Sequence, residues 1–328
     1  MNIAEIHFHN QLSGDSFPTM TEEVLAGLTG KPKHCSPKYL YDQKGSELFE
    51  KICELDEYYP TRTEETILIH AMPEIAALAG KDATLVEFGS GASRKVRLLL
   101  DSLSINCYLG IDISREFLIE STRRLAADYP WLEVHAACAD FTRGVALPET
   151  IEPRGLVAFF PGSSIGNFTP EAAERFLKSL HHLLPPGSGL LIGVDLLKDI
   201  RILEAAYNDA EGITAEFNLN LLDRLRRELG LCIDRERFSH RSFFNTDESR
   251  IEMHLDSRVA QVLQFHGQTI RFREGESIHT ENSYKYSVEG FQHLAARAGF
   301  ASRGVWTDDQ DLFSVHYLLA SPAPESSP

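Results

Sequence analysis

Short apolar runs recur through the middle of this chain, and between them apolar positions return every three or four residues. The runs fall at 84–88, 107–112, 133–137, 155–160 and 189–195, and the helical period fills about 94–103, 115–128 and 170–184. Runs this unbroken suit strands covered on both faces, and their alternation with helices predicts a doubly wound parallel sheet. Pro185-Pro186-Gly187 stops the helix ahead of the fifth run, because proline cannot continue a helix and glycine turns freely. Near the C-terminus a helix at 288–298, strands at 302–307 and 312–320 and the turn Asp308-Asp309-Gln310-Asp311 between them predict a closing helix and hairpin of the same sheet. The alternation breaks at roughly 199–286, which begins helical (200–208, 214–228) and turns strand-like from 238 to 272. The first 60 or so residues, polar and rich in Pro and Tyr, fit neither pattern and are expected to pack with that insert. The expected organisation is therefore a sheet domain from 64–198 plus 287–320 and an α+β lobe from 1–63 plus 199–286. Residues 321–328 are expected to form a disordered tail.

The first strand leads into a nucleotide cradle. Residues 84 to 95 read Thr-Leu-Val-Glu-Phe-Gly-Ser-Gly-Ala-Ser-Arg-Lys, and Gly89 and Gly91 let the backbone turn tightly and approach a ligand. A dinucleotide fingerprint wants a third glycine where Arg94 stands, which disfavours a nicotinamide-dependent dehydrogenase. Glu87 is expected to place negative charge where a pyrophosphate would be repelled and a cationic nucleoside would not. The pattern resembles the first motif of S-adenosylmethionine-dependent methyltransferases. Asp112 ends the next strand at about the interval used for ribose hydroxyls, and Asp140-Phe141 after the third offers a hydrogen-bonding acid and a stacking ring for adenine. Each has a plain alternative: Gly-Ser-Gly as a turn, Asp112 as a helix cap, Asp140 as a turn former. At the end of the fourth strand, Ser163, Ser164 and Asn167 are expected to face the donor. Small hydroxyls and an amide there can accept hydrogen bonds from an amine, and Thr169-Pro170 can cap the following helix.

Charge narrows the partners. The 328 residues carry 32 Lys and Arg against 48 Asp and Glu, a net charge of -16, with no basic stripe interleaved with aromatics. Nucleic acid is therefore not the expected partner. The start lacks a signal-peptide pattern and no run is long and apolar enough to cross a bilayer, so a cytoplasmic protein with no membrane partner is expected. Cys35, Cys53, Cys107, Cys138 and Cys232 are scattered and odd in number, which reads as reduced thiols. His7 and His9 have the spacing of half a metal site. No helical His pair matches them, so a mobile N-terminus and no metal are expected.

Five blocks carry a more specific likeness: Asp56-Glu-Tyr-Tyr-Pro-Thr-Arg-Thr-Glu64, Gly162-Ser-Ser-Ile-Gly-Asn167, Ala206-Tyr-Asn-Asp209 with Gly212-Ile-Thr-Ala-Glu-Phe-Asn218, Ile251-Glu-Met253, and Thr280-Glu-Asn-Ser283. Together they resemble the L-histidine Nα-methyltransferase family, from about residue 22 to 318. The resemblance implies a class I S-adenosylmethionine-dependent methyltransferase, a Rossmann-like doubly wound sheet with an additional α+β substrate-binding lobe. It implies trimethylation of L-histidine to hercynine, the betaine from which ergothioneine is built. It also implies that Tyr58 and Tyr207 bind the substrate carboxylate and that Asn167 binds the α-amino group, with Ser164 beside it. Tyr41 would stand close to the reacting nitrogen, and Glu281 and Ser283 would recognise the imidazole with Met253 packing nearby. Gly89, Lys95, Asp112, Asp140 and Phe141 would hold S-adenosylmethionine. Departures fall at Asn282, Tyr284 and Ser164, where a threonine is common.

A carboxylate beside a hydroxyl does suit an imidazole, which has one N–H donor and one acceptor when neutral. Without the blocks, Tyr58 and Tyr59 read as packing residues, Glu281 as a solvated strand residue and Met253 as core. The rival readings are methylation of another aromatic amino acid such as tryptophan, or a non-catalytic S-adenosylmethionine sensor or partner subunit. The enzyme is expected to act as a monomer.

Overall fold

The computed structural model of the chain describes residues 6–12, 18–151 and 155–321. Residues 322–328, most of the expected tail, lie outside the described residues. The chain divides into two compact units. The first holds the described residues of Met1–Ser13, Pro60–Leu197 and Lys285–Pro328, and the second those of Gly14–Tyr59 and Lys198–Tyr284.

The first unit is built on an eight-stranded sheet. With strands numbered along the chain, it contains β1 (His7–Asn10), β3 (Ala83–Phe88), β4 (Ile105–Asp112), β5 (Glu133–Cys138), β6 (Leu156–Phe160), β7 (Gly189–Asp195), β13 (Phe300–Thr307) and β14 (Phe313–Ala320). Their order is β1-β5-β4-β3-β6-β7-β14-β13. All pairings are parallel except those of β14, which runs antiparallel to β7 and β13. The helices are α3 (Tyr59–Ala79, in this unit from Pro60), α4 (Val96–Leu100), α5 (Arg115–Asp128), α6 (Pro170–Leu183) and α9 (Val288–Arg297).

Side-chain alternation sorts the apolar runs into two cores. Leu85, Phe159 and Leu191 pack with Ile67, Leu68 and Ile75 of α3. Their neighbours Val86, Phe160 and Ile192 pack with Phe176 and Leu180 of α6 and Phe291 of α9. That two-sided burial is why these strands read as unbroken apolar runs. Strand order reverses between β3 and β6, and ligands of such sheets sit beyond the strand ends at this switch point. The loops beginning at Gly89 and Pro161 leave from there.

Two expectations change. The helix expected over 94–103 is confined to Val96–Leu100, because Gly91 and Ser93 take positive φ before it and Asp101-Ser-Leu-Ser104 favours turns after it. The N-terminus was expected to be mobile and to belong to the lobe. Instead His7–Asn10 form β1, an edge strand parallel to β5, with Ile6 and Phe8 packed against Leu118, Ala136 and Cys138.

In the second unit, β2 (Lys33–His34), β12 (Ser277–Tyr284), β9 (Arg250–Ser257) and β8 (Phe238–Asn245) form one sheet in that order, and β10 (Gln261–Phe265) pairs with β11 (Gln268–Phe272). The helices are α1 (Met20–Thr29), α2 (Gln43–Glu54), α7 (Ile200–Ala205) and α8 (Ile213–Leu229). Helix α8 buries Phe217, Leu221, Leu222 and Leu225 against α2, β8 and β9. These positions recur at helical spacing on one face, as a helix covering a sheet requires.

Candidate active site

The cradle after β3 takes the expected form. Gly89 lies at φ 72° and Gly91 at φ 49°, where a Cβ is disfavoured, and the nearest side-chain atom to a Cβ on Gly89 would be the Phe141 ring at 3.8 Å. The Gly89 and Ser90 N–H groups donate to the Ile111 carbonyl at 2.8 and 3.1 Å, which fixes the turn against β4. The Asp112 carboxylate then accepts from Gly91 N at 3.0 Å and Ser114 N at 2.9 Å. Burial pushes the Asp112 carboxyl up, while the Ser114, Gly91 and Ile113 N–H groups pull it down. Each oxygen keeps acceptor capacity, so Asp112 can still bind a diol. Phe141 sits edge-on to Phe88 and Phe160. Asp140 starts the turn before it by accepting from Thr142 N at 3.1 Å and pairs with Arg143. Open backbone at two glycines, a carboxylate and an aromatic face form a donor set that fits an adenine nucleoside.

The charge logic at Glu87 differs from the expectation. This carboxyl is 2% exposed, and Tyr108 Oη donates to it at 2.6 Å. Burial raises its pKa to about 8, so near neutral pH it is largely protonated and is not a fixed negative charge beside the cradle. The charge that organises this region is Glu64, eight residues beyond Asp56 and fully buried. It accepts from Gly162 N at 2.8 Å and pairs with Lys95. A Cβ on Gly193 would lie 2.0 Å from Glu64 Oε1. Lys95, assigned above to the donor, therefore already holds a carboxylate that ties α3 to the loop after β6.

In that loop Ser163 takes a left-handed conformation, φ 56°, and its Oγ accepts from Asp195 N at 2.9 Å. Ser164 Oγ donates to the Pro161 carbonyl at 3.0 Å. Both hydroxyls shape the turn, Asn167 closes it half-buried, and Thr169 caps α6 with Pro170 following, as the sequence suggested. Behind it Lys285 and Asp195 form an ion pair at 2.6 Å, both almost fully buried. Sequence reasoning missed Glu64 and this pair, since nothing in local pattern distinguishes a buried charge from a solvated one.

In the second unit the tyrosines converge. Tyr58 stands edge-on to Phe49 and Tyr207, and Tyr41 is edge-on to Phe49 and Phe217. Burial pushes the Tyr58 phenol well above the usual tyrosine value, and Tyr207, Cys53, Tyr41 and Glu281 push it further. Tyr58 is thus a neutral hydrogen-bond donor within electrostatic reach of groups scattered over more than half the chain. Tyr207 Oη donates to Ser283 Oγ at 2.8 Å, so two side chains assigned to opposite ends of the substrate touch each other.

Glu281 owes its direction to a bulge. On β12, His279 pairs with His254 and Glu281 with Met253, which leaves Thr280 as the extra residue. Thr280 Oγ1 donates to the Met253 carbonyl at 3.0 Å, and His279 Nε2 donates to the Glu281 carbonyl at 3.0 Å. Strand residues alternate in side, and a bulge shifts that phase. The shift is visible in burial: Ile278 and Thr280 are buried, then Glu281 and Ser283.

The histidine-specific, S-adenosylmethionine-dependent methyltransferase family model matches residues 20–320. The histidine N-alpha-methyltransferase of Mycolicibacterium smegmatis is 42% identical over 93% of this chain and 97% of its own length. That of Mycobacterium tuberculosis is 38% identical over 90% and 93%. Ergothioneine biosynthesis protein 1 of Neurospora crassa is 32% identical over 88% of this chain and 33% of its own length. With these likenesses running through both units, the chain belongs to the histidine-specific, S-adenosylmethionine-dependent methyltransferases.

Proposed function

We propose that this enzyme methylates the α-amino nitrogen of L-histidine three times to give hercynine, the first step toward ergothioneine. The observation that carries the reading is the convergence of Tyr41, Tyr58, Tyr207 and Glu281 beside a bulge that turns Glu281 and Ser283 inward. In this reading Tyr58 and Tyr207 hold the carboxylate, Glu281 and Ser283 hold the imidazole with Met253 flanking, and Asn167, with Ser164 beside it, holds the α-amino group. Gly89, Lys95, Asp112, Asp140 and Phe141 hold the donor. An indole, which offers an N–H donor and no acceptor, would leave the Ser283 hydroxyl less well used.

When bound, S-adenosylmethionine supplies a methyl group activated by its sulfonium, which the amine lone pair takes in line. The chain's own residues align the acceptor, and alignment of this kind supplies roughly 7–11 kcal/mol in favourable cases. Tyr58 is held protonated and so does not take the ammonium proton; that proton leaves to water or through Tyr41. Phenols hold a carboxylate without adding a cation, which would repel the sulfonium. The five cysteines stand as thiols, which suits a cytoplasmic enzyme, and the reading takes it to act as a monomer. No described helix is long and apolar enough to cross a membrane.

The test is mass spectrometry of products after the purified enzyme is incubated with S-adenosylmethionine and single amino acids. Trimethylated histidine as the dominant product supports the reading. Methylation of tryptophan with histidine untouched would overturn the roles of Glu281 and Ser283.

A further inference from the structure

The edge of the large sheet gathers imidazoles that the methyl-transfer chemistry does not use. Along β1, alternation places Phe8 on the face that packs against Leu118, Ala136 and Cys138 and places His7 and His9 on the other. Along β5 the same alternation puts Glu133 and His135 on one face, and the parallel register sets His135 directly beside His7. The rings of His7 and His9 lie 4.7 and 5.4 Å from that of His135, both stacked. Ligand atoms of His7, Glu133 and His135 all lie within 4.8 Å of one another.

The hydrogen bonds fix which nitrogens are available. His135 Nε2 is 2.9 Å from Glu133 Oε1, and an ionised carboxylate only accepts, so Nε2 carries the proton. His135 Nδ1 then offers a lone pair, 3.1 Å from His9 Nε2. Two nitrogens bound at about 2.0–2.1 Å to one tetrahedral ion stand roughly 3.3 Å apart, so this spacing needs little adjustment to accept a cation. A carboxylate bonded to the far nitrogen of a ligating imidazole is the common orienting arrangement of metal sites.

We infer that His7, His9 and His135, with Glu133 orienting His135, form a binding site for a divalent transition-metal ion of the zinc class, which fastens the short edge strand β1 to β5. Three imidazoles and water complete a recurrent zinc donor set. A similar trio in the second unit, Glu252, His254 and His279, is a different object. There Arg250 forks onto Glu252 at 2.7 and 2.9 Å, and a guanidinium in the cluster opposes a dication. The inference departs from the expectation of no metal, because that expectation sought a helical partner for His7 and His9 and the partner lies on a strand 126 residues from His9.

The test uses the full chain without an affinity tag, stripped by chelator and dialysed. Zinc is titrated in competition with a chromophoric chelator, and cobalt is titrated by its visible absorption. The expected result is one ion per chain, a cobalt spectrum of low coordination number, and a rise in melting temperature with zinc. H7A/H9A, which alters only the edge strand, should weaken zinc at least tenfold and abolish the thermal gain. E133Q should weaken it about tenfold, and H279A should leave it unchanged. Wild-type affinity in H7A/H9A, no ion bound by the wild type, or loss of binding in H279A alone would each overturn the inference.

Discussion

Replacing Glu64 by Gln tests whether one buried charge holds the first unit's loops in place. Glu64 is fully buried and Lys95 is 13% exposed. The carboxylate also takes the Gly162 N–H at 2.8 Å. Glutamine keeps an acceptor for Gly162 but removes the negative charge, so the ammonium loses the carboxylate it is paired with. Breaking a buried pair from one side costs about 3–5 kcal/mol, and the slight exposure of Lys95 puts this one near the lower end, ~3 kcal/mol. That is about two decades in the folding equilibrium. The readout can be confined to this unit because Trp131 and Trp306, the only tryptophans, both belong to it. Urea unfolding followed by tryptophan fluorescence should show a lower midpoint with an unchanged slope. The double variant E64Q/K95M should recover much of the loss, since replacing the lysine as well removes the stranded charge. A cost below about 1 kcal/mol for E64Q, or a double variant no better than the single one, would refute the reasoning.

Gly193→Ala should be at least as damaging, because its Cβ would fall 2.0 Å from Glu64 Oε1; soluble yield and the same urea curve check it, and a wild-type midpoint counts against the geometry. Glu87→Gln should flatten the pH dependence of stability. The folded pKa of about 8 lies above the ordinary value of 4.5, so the stability Glu87 confers is full below the ordinary value and is lost as pH rises through about 8. Urea midpoints from about pH 5 to 8 should fall more steeply for wild type than for the variant, and parallel profiles would contradict this. Thr280→Val removes the Oγ1 bond to the Met253 carbonyl while keeping the side-chain shape, at a cost of about 1–2 kcal/mol for the buried acceptor left behind. The KM for histidine should rise severalfold with that for the donor unchanged, and Thr280→Ser should restore it; a rise in the donor KM instead would place Thr280 elsewhere in function.

The sheet was legible because β3, β6 and β7 are buried on both faces and carry no polar alternation to confuse with a helix. The glycine turn after β3 was legible for a related reason: Gly89, Gly91 and Asp112 sit at fixed offsets from strand ends. β1 was not, since His7-Phe8-His9-Asn10 offers one apolar side chain and takes its strand form from β5. The residues proposed for the acceptor could not be read from pattern at all, and only block resemblance named Tyr41, Tyr58, Tyr207 and Glu281. The bulge at Thr280 leaves no mark on composition, yet it decides which side Glu281 faces. The state of Glu87 depends on its burial within the sheet, which outweighs the opposing pull of the Tyr108 hydroxyl on the neighbouring strand, and neither is visible in any local window.

Repeated methylation constrains how the acceptor is held. The unprotonated nitrogen that attacks has two N–H groups in the first round, one in the second and none in the third, so hydrogen bonds aimed at it fade as the reaction proceeds. The carboxylate and imidazole are unchanged throughout. In the proposed reading, anchoring therefore rests on Tyr58 and Tyr207 at one end and Glu281 and Ser283 at the other, with Asn167 contributing most in the first round. Asn167→Ala should raise the KM for histidine roughly tenfold, the worth of one or two hydrogen bonds, and should change the KM for dimethylhistidine far less. Synthetic mono- and dimethylhistidine assayed separately by mass spectrometry give the comparison. An equal loss across the three acceptors would show that Asn167 acts on something other than the N–H groups, and would return the burden of alignment to the backbone of the loop that carries it.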